Sequence, residues 1–296
     1  MNNSLIVGCG DIGRRVAHLE IEQGNSVCAL VRSEQGAKRL IDLRIDPIKG
    51  DLDSEVDFES FPSNLTSLYY FAPPPSSGID DPRINKFLSC LAGRSHIMPK
   101  IIYISTSGVY GDCHGEWVDE DHPLNPLTDR AKRRYSAEQF LIEFSDATGA
   151  EIVILRVPGI YGPGRLPIDR IQKGFPVIRE DEAPYSNRIH SVDLANACIE
   201  AKERGVNLRA YNITDGNPTT MTDYFFQVSD FLKLPRPIEI PLTEARKQFS
   251  PNLLSFIDES RRISNRRMLD ELGVCLRYPT LLEGLEACWE PEATAI

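Results

Sequence analysis

The chain has 296 residues, 41% hydrophobic and 26% charged, the balance of a soluble globular protein able to bury one large α/β core or a core with a smaller lobe. Its 43 acidic residues outnumber 33 basic ones, and the net charge of −10 argues against nucleic-acid binding; no apolar run approaches a membrane span. Seven scattered cysteines without a CxxC pair and five dispersed histidines predict a reducing, cytoplasmic setting, with neither a disulfide framework nor a metal. The opening MNNSLIVGCG has no basic segment ahead of its apolar stretch and is not read as a signal peptide. The basic pairs Arg261-Arg262 and Arg266-Arg267 read as a solvated helical face.

A strand is predicted over residues 4–7, and it runs straight into the turn Gly8-Cys9-Gly10-Asp11-Ile12-Gly13 and a helix over 12–23. In that GxGxxG turn Gly8 permits the tight bend, Gly10 lets the backbone approach a pyrophosphate, and Gly13 lets the helix close on the strand. The helix-opening amides, with the helix dipole behind them, then face phosphates. A second strand, 26–31, ends in Arg32 and Ser33 where NAD sites usually carry a carboxylate for the ribose hydroxyl. A guanidinium and a hydroxyl suit a 2′-phosphate, so NADP is favoured, and the neighbouring Glu34 keeps NAD open.

A helix over 33–43 and a short third strand lead to KGDLDS, where Asp51 and Leu52 would lie against adenine. The fourth strand, 67–71, ends at Phe71, Ala72 and Pro73, near the expected ribose and pyrophosphate. A helix over 82–92, a strand over 100–105, a helix over 130–144 and strands over 151–156 and 209–213 complete the rhythm. Strands without polar alternation, separated by helices, predict a doubly wound parallel Rossmann sheet of the α/β class. We place a dinucleotide-binding domain at 1–160, with the strand near 209–213 returning to it. Residues 161–296 form mainly a smaller substrate lobe rich in turn formers.

These pieces, together with ISTSGVYG (104–111), LRVPGIYGPGR (155–165), NRIHSVDLANA (187–197), YNITDG (211–216), ISNRRMLDELG (263–273) and YPTLLEGL (278–285), resemble the extended and atypical short-chain dehydrogenase/reductases, the NAD-dependent epimerase/dehydratase group. The resemblance spans nearly the whole chain and implies the fold more strongly than the reaction. It implies that Thr106 hydrogen-bonds the substrate oxygen, that Pro158 and Gly159 border the nicotinamide, and that Arg188 and His190 stand at the entrance to the small lobe. His190 reads equally as a residue fixing that turn. Ser107, Tyr110 and Arg165 are further substrate candidates. Dehydratases of the group carry an Asp-Glu pair after the threonine; Ser107 and Gly108 stand there instead, so dehydration of that type lacks its carboxylates.

In RAKRRYSAEQFLIEF, Tyr135 and Gln139 have the spacing of the family's catalytic tyrosine and lysine. On the helical wheel, however, Tyr135 falls on the polar side with Glu138 and Gln139, opposite the stripe of Ala137, Phe140, Leu141 and Phe144. Counting eight residues back from Glu138, as the family does, puts Arg130 in the tyrosine slot and Arg134 in the lysine slot. Arginine stays protonated and cannot act as the base. Arg134 then serves ribose or phosphate, and Arg130 an anionic substrate.

Three functions stay open at this point. The first is an NADP-dependent oxidoreductase or isomerase on a small polar or anionic molecule, with proton transfer from Tyr110 or Tyr161. The second is a non-catalytic dinucleotide-binding sensor, and the third a nucleotide-sugar epimerase or dehydratase holding NAD. A homodimer is the candidate assembly, and neither nucleic acid nor membrane is an expected partner.

Overall fold

The computed structural model describes residues 2–54, 60–93 and 98–289. Seven strands make one parallel sheet: β1 (Asn3–Val7), β2 (Ser26–Val31), β3 (Asp46–Lys49), β4 (Ser67–Tyr70), β5 (Lys100–Thr106), β6 (Ile152–Val157) and β7 (Arg209–Asn212). Their order across the sheet is β7-β6-β5-β4-β1-β2-β3, so the strand order reverses between β1 and β4. That reversal opens a crevice at the carboxyl ends of the strands, where such sheets bind ligands.

Successive strand residues bury themselves on opposite faces, which is why the strands read as unbroken apolar runs. Ile6, Ile102, Ile104, Val153 and Leu155 pack with helices α1 (Asp11–Glu22) and α5 (Ser191–Arg204). Leu5, Val7, Ile101, Tyr103, Ile152 and Ile154 face α3 (Pro82–Ala92) and α4 (Asp129–Thr148) on the other side. Helix α2 (Glu34–Asp42) follows β2. Met268, Leu272 and Val274 also return to the first face, so the main body draws on chain well beyond residue 160.

The chain around a separate apolar core forms a small lobe. Its core joins Tyr161, Ile171 and Val177 to Phe225 and Val228 of α6 (Met221–Phe231) and to Leu281 and Leu285 of α7 (Leu281–Ala287). Short strand pairs tie it down: 159–161 runs parallel to 188–190, and 262–263 parallel to 117–118. Among the described residues no helix is long and apolar enough to cross a membrane.

Candidate functional site

The glycine turn is built as a cradle. Gly8 has φ of +100°, and a Cβ there would stand 2.4 Å from the Ala72 nitrogen, because the end of β4 folds over it with the Phe71 and Ala72 amides donating to the Val7 carbonyl. A Cβ on Gly13 would lie 2.8 Å from the Gly8 carbonyl oxygen, so close helix–strand packing excludes one there. In front of Gly10, by contrast, nothing stands within 4 Å of an added Cβ. No side chain caps α1, which leaves its first amides to an outside acceptor. Open space before Gly10 and uncapped amides at a helix dipole's positive end fit a dinucleotide pyrophosphate. Burial pushes the neighbouring Cys9 thiol up to about 11, so it sits there uncharged.

At the far end of the cradle, Ser33 caps α2, its Oγ accepting from the Gly36 amide at 3.1 Å. The hydroxyl proton remains available to an incoming acceptor. Arg32 is exposed and makes no ion pair among the described residues, whereas Glu34 is held by Lys49. Asp51 turns its Oδ1 back onto the Asp53 amide at 3.1 Å. Asp53 grips Arg83 through Nε and Nη2, both at 2.6 Å, and Arg83 Nη1 donates to the Pro73 carbonyl at 3.0 Å. Arg83 thus stitches together the turns after β3 and β4. No sequence signal marks it. Leu52 lies half-buried beneath that turn.

Thr106 ends β5, and its Oγ1 accepts from the Gly108 amide at 3.2 Å, again leaving the O–H to donate outward. Ser107 is buried behind it. Tyr110, expected to meet substrate or to move a proton, is instead sealed in the core. Its hydroxyl donates to Asn212 Oδ1 at 2.8 Å and accepts from Arg156 Nη1 at 3.0 Å, and burial pushes its pKa up to about 12. Tyr161, the other proton candidate, donates to the Thr280 carbonyl at 3.3 Å within the small lobe, and burial raises it too.

Helix α4 carries a second correction. Glu138 is not on a polar face: it is 1% exposed, bonded to Ser105 and to Arg156 Nη2, the latter at 3.0 Å. Nor does Tyr135 lie on a polar side: it packs half-buried in an apolar cluster with Val109, Tyr110, Cys113 and Leu124 and makes no hydrogen bond among the described residues. Arg134 reaches the strand ends, donating to the Ile104 carbonyl at 3.0 Å, the Tyr103 hydroxyl at 3.2 Å and the Ala72 carbonyl at 3.4 Å. Arg130 lays its guanidinium 3.7 Å above the Phe256 ring; burial lowers its pKa, Glu259 opposes that, and Arg261 adds to it.

Arg261 also departs from expectation. It is buried, bonded to the Gly111 carbonyl and to Glu259 Oε2 at 2.9 Å, while Arg262 stacks between Trp117 and Tyr185 in a strand pair. Arg267 pairs with Asp121 at 2.7 Å, leaving only Arg266 exposed of the four. Three of the four thus tie distant turns and strands together rather than solvate a helix.

Around the lobe entrance, Gly159 donates to the Asn187 carbonyl at 3.2 Å, so Pro158 and Gly159 sit where β6 passes into the lobe. Arg188 is 4% exposed. Its Nη1 donates to Thr219 Oγ1 at 2.8 Å and its Nη2 to Ser186 Oγ at 3.0 Å, bonds that hold the lobe together instead of facing its entrance. His190 is fully buried and caps α5, Nδ1 accepting from the Val192 amide at 3.3 Å; burial drops its pKa to about 4. The structural reading of that histidine is the one the geometry carries. Arg165 lies elsewhere, with Nε 2.6 Å from Asp11 Oδ2.

A parallel sheet in this order, a glycine turn opening α1, and a threonine ending β5 define a dinucleotide-binding protein of the short-chain dehydrogenase type. The chain belongs to the NAD dependent epimerase/dehydratase family, whose model matches residues 4–214. It is 27% identical over 233 residues to 4-hydroxy-2-methyl-3-oxo-4-farnesyl-3,4-dihydroquinoline-1-oxide ketoreductase of Stigmatella aurantiaca, covering 73% of this chain and 69% of that one. A solved conserved protein of unknown function from Silicibacter pomeroyi matches with a TM-score of 0.84 at 27% identity, over 97% of this chain and 98% of that one. UDP-glucuronic acid 4-epimerase of Bacillus cereus, solved with NAD, matches at 0.75 with 18% identity over 96% of each chain, a likeness of fold.

Proposed function

We propose that the protein is an NADP-dependent oxidoreductase or isomerase for a small polar or anionic substrate, working without the usual tyrosine–lysine pair. The observation that carries this reading is the pair of arginines on α4. Arg134 is drawn to the ends of β4 and β5, where the cofactor ribose would lie, and Arg130 stands half-buried against Phe256. Both stay cationic and so bind rather than transfer protons. A half-buried guanidinium over a ring, with a depressed pKa, suits a carboxylate or phosphate on the substrate.

In this reading the cradle before Gly10 takes the pyrophosphate, Arg32 and Ser33 the 2′-phosphate, and Thr106 donates to the substrate oxygen. The nicotinamide, when bound, supplies or receives the hydride. With Tyr110 and Tyr161 sealed away, the accompanying proton passes through water or the substrate itself. Calorimetric titration with NADPH and NADH, followed by a turnover screen over a metabolite pool, tests the reading; a protein that binds neither ends it. Identifying any nucleotide that copurifies is the companion measurement. Firmly held NAD would move the protein toward the epimerases.

A further inference from the structure

The glycine turn contains an acid at the place where a pyrophosphate would arrive. Asp11 opens α1, and its carboxylate is shared by two arginines, Arg15 Nε at 3.0 Å and Arg165 Nε at 2.6 Å. Arg15 is buried one turn along the same helix, whereas Arg165 reaches over from the loop that follows the 159–161 strand and stays 34% exposed.

That loop is shaped to deliver the arginine. Gly162 and Gly164 have φ of +142° and +72°, and the Arg165 amide closes on the Gly162 carbonyl at 3.0 Å. A Cβ on Gly162 would lie 2.5 Å from Ser191 Oγ, so the bend is fixed against the start of α5. Only the Nε of Arg165 is engaged. Its two Nη groups make no hydrogen bond among the described residues, and a guanidinium presents five donors in a planar fork.

A partly exposed ion pair contributes little to stability, so holding the fold together is a weak reason for this one. A ligand supplies a stronger reason. Arg15 alone only balances the Asp11 carboxylate, whereas a second guanidinium laid across it makes the local charge positive and leaves two donor groups spare for a pyrophosphate.

We propose that Arg165 is a pyrophosphate clamp, anchored through Nε on Asp11 and offering its Nη groups to the phosphate oxygens before Gly10. The loop that opens the small lobe thereby closes over the cofactor. This rests on the dinucleotide reading above and moves Arg165 from the substrate to the cofactor.

The test titrates the intact protein and its Arg165→Ala, Arg165→Gln and Arg165→Lys variants with NADPH, and with 2′-AMP as a probe that has no pyrophosphate. The two neutral variants are expected to bind NADPH at least about tenfold more weakly and to release it faster in stopped flow, with Arg165→Lys regaining part of the loss. Affinity for 2′-AMP is expected to stay at the wild-type value. Wild-type NADPH affinity in both neutral variants would overturn the clamp, as would an equal loss of 2′-AMP. If the wild-type protein itself binds no dinucleotide, the parent reading fails instead.

Discussion

Arg32 stands exposed at the tip of β2 with no ion-pair partner among the described residues, so on the proposed reading its replacement removes a contact to the 2′-phosphate and leaves the packing beneath it in place. A charge-assisted hydrogen bond contributes about 1.5–3 kcal/mol. Arg32→Ala is therefore expected to weaken NADPH by roughly 10–100-fold while leaving NADH unchanged, as read by calorimetry. An equal loss of both would place Arg32 outside the 2′-phosphate pocket. Legibility at this scale followed the backbone. The demands on Gly8 and Gly13 come from local sterics, which a motif encodes directly, and the structure meets them at 2.4 and 2.8 Å. Tyr110 was misread because a motif states where a residue falls in the chain, not which way its ring turns. Phe256 was missed and Arg261 misread for a different reason: they meet Arg130 and Gly111 across more than a hundred residues, and no local spacing reports such a contact.

Elements show the same division between local and distant causes. The sheet strands are apolar throughout because both faces are covered, and their positions could be read from the chain. Helix α4 could be placed too, but its polar face could not, since Glu138 is drawn inward by Arg156 on β6. Removing one member of a buried ion pair strands the other charge, at a cost on the order of 3–5 kcal/mol. Glu138→Leu is expected to lose about that much in urea unfolding, and Glu138→Leu with Arg156→Met to recover most of it. If the double variant is as weak as the single, the charge itself is not the cause. Helix α5 yields a pH prediction. His190 caps it uncharged, with its folded pKa near 4, below the unfolded value of 6.5. A depressed histidine contributes stability that is full above the unfolded pKa and is lost as pH falls from about 6.5 toward 4. The advantage of wild type over His190→Asn should shrink across that window, by up to about 3 kcal/mol. A constant gap in melts at each pH would contradict the assignment.

At the scale of the whole molecule, the two lobes are laced together by a chain that crosses between them repeatedly. It leaves the sheet after β6, returns as α5 and β7, passes through α6, comes back once more at Met268–Leu272 and then enters the lobe again at α7. The Tyr185–Thr220 and Trp117–Arg262 strand pairs fasten distant stretches of that path. A lobe bound this way has no independent boundary along which to melt, so thermal unfolding should show one transition by both tryptophan fluorescence and circular dichroism. NADPH at a hundred times its dissociation constant would add about 2.7 kcal/mol to the folded state. For a chain of this size that is a rise of a few degrees in Tm, and equal concentrations of NADH should give less. Because the cradle belongs to the sheet and Arg165 to the lobe's first loop, bound cofactor should move the entire transition. A lobe that melted first, with NADPH raising only the later step, would show that the crossings do not couple the two parts and that the cofactor is held by the sheet alone.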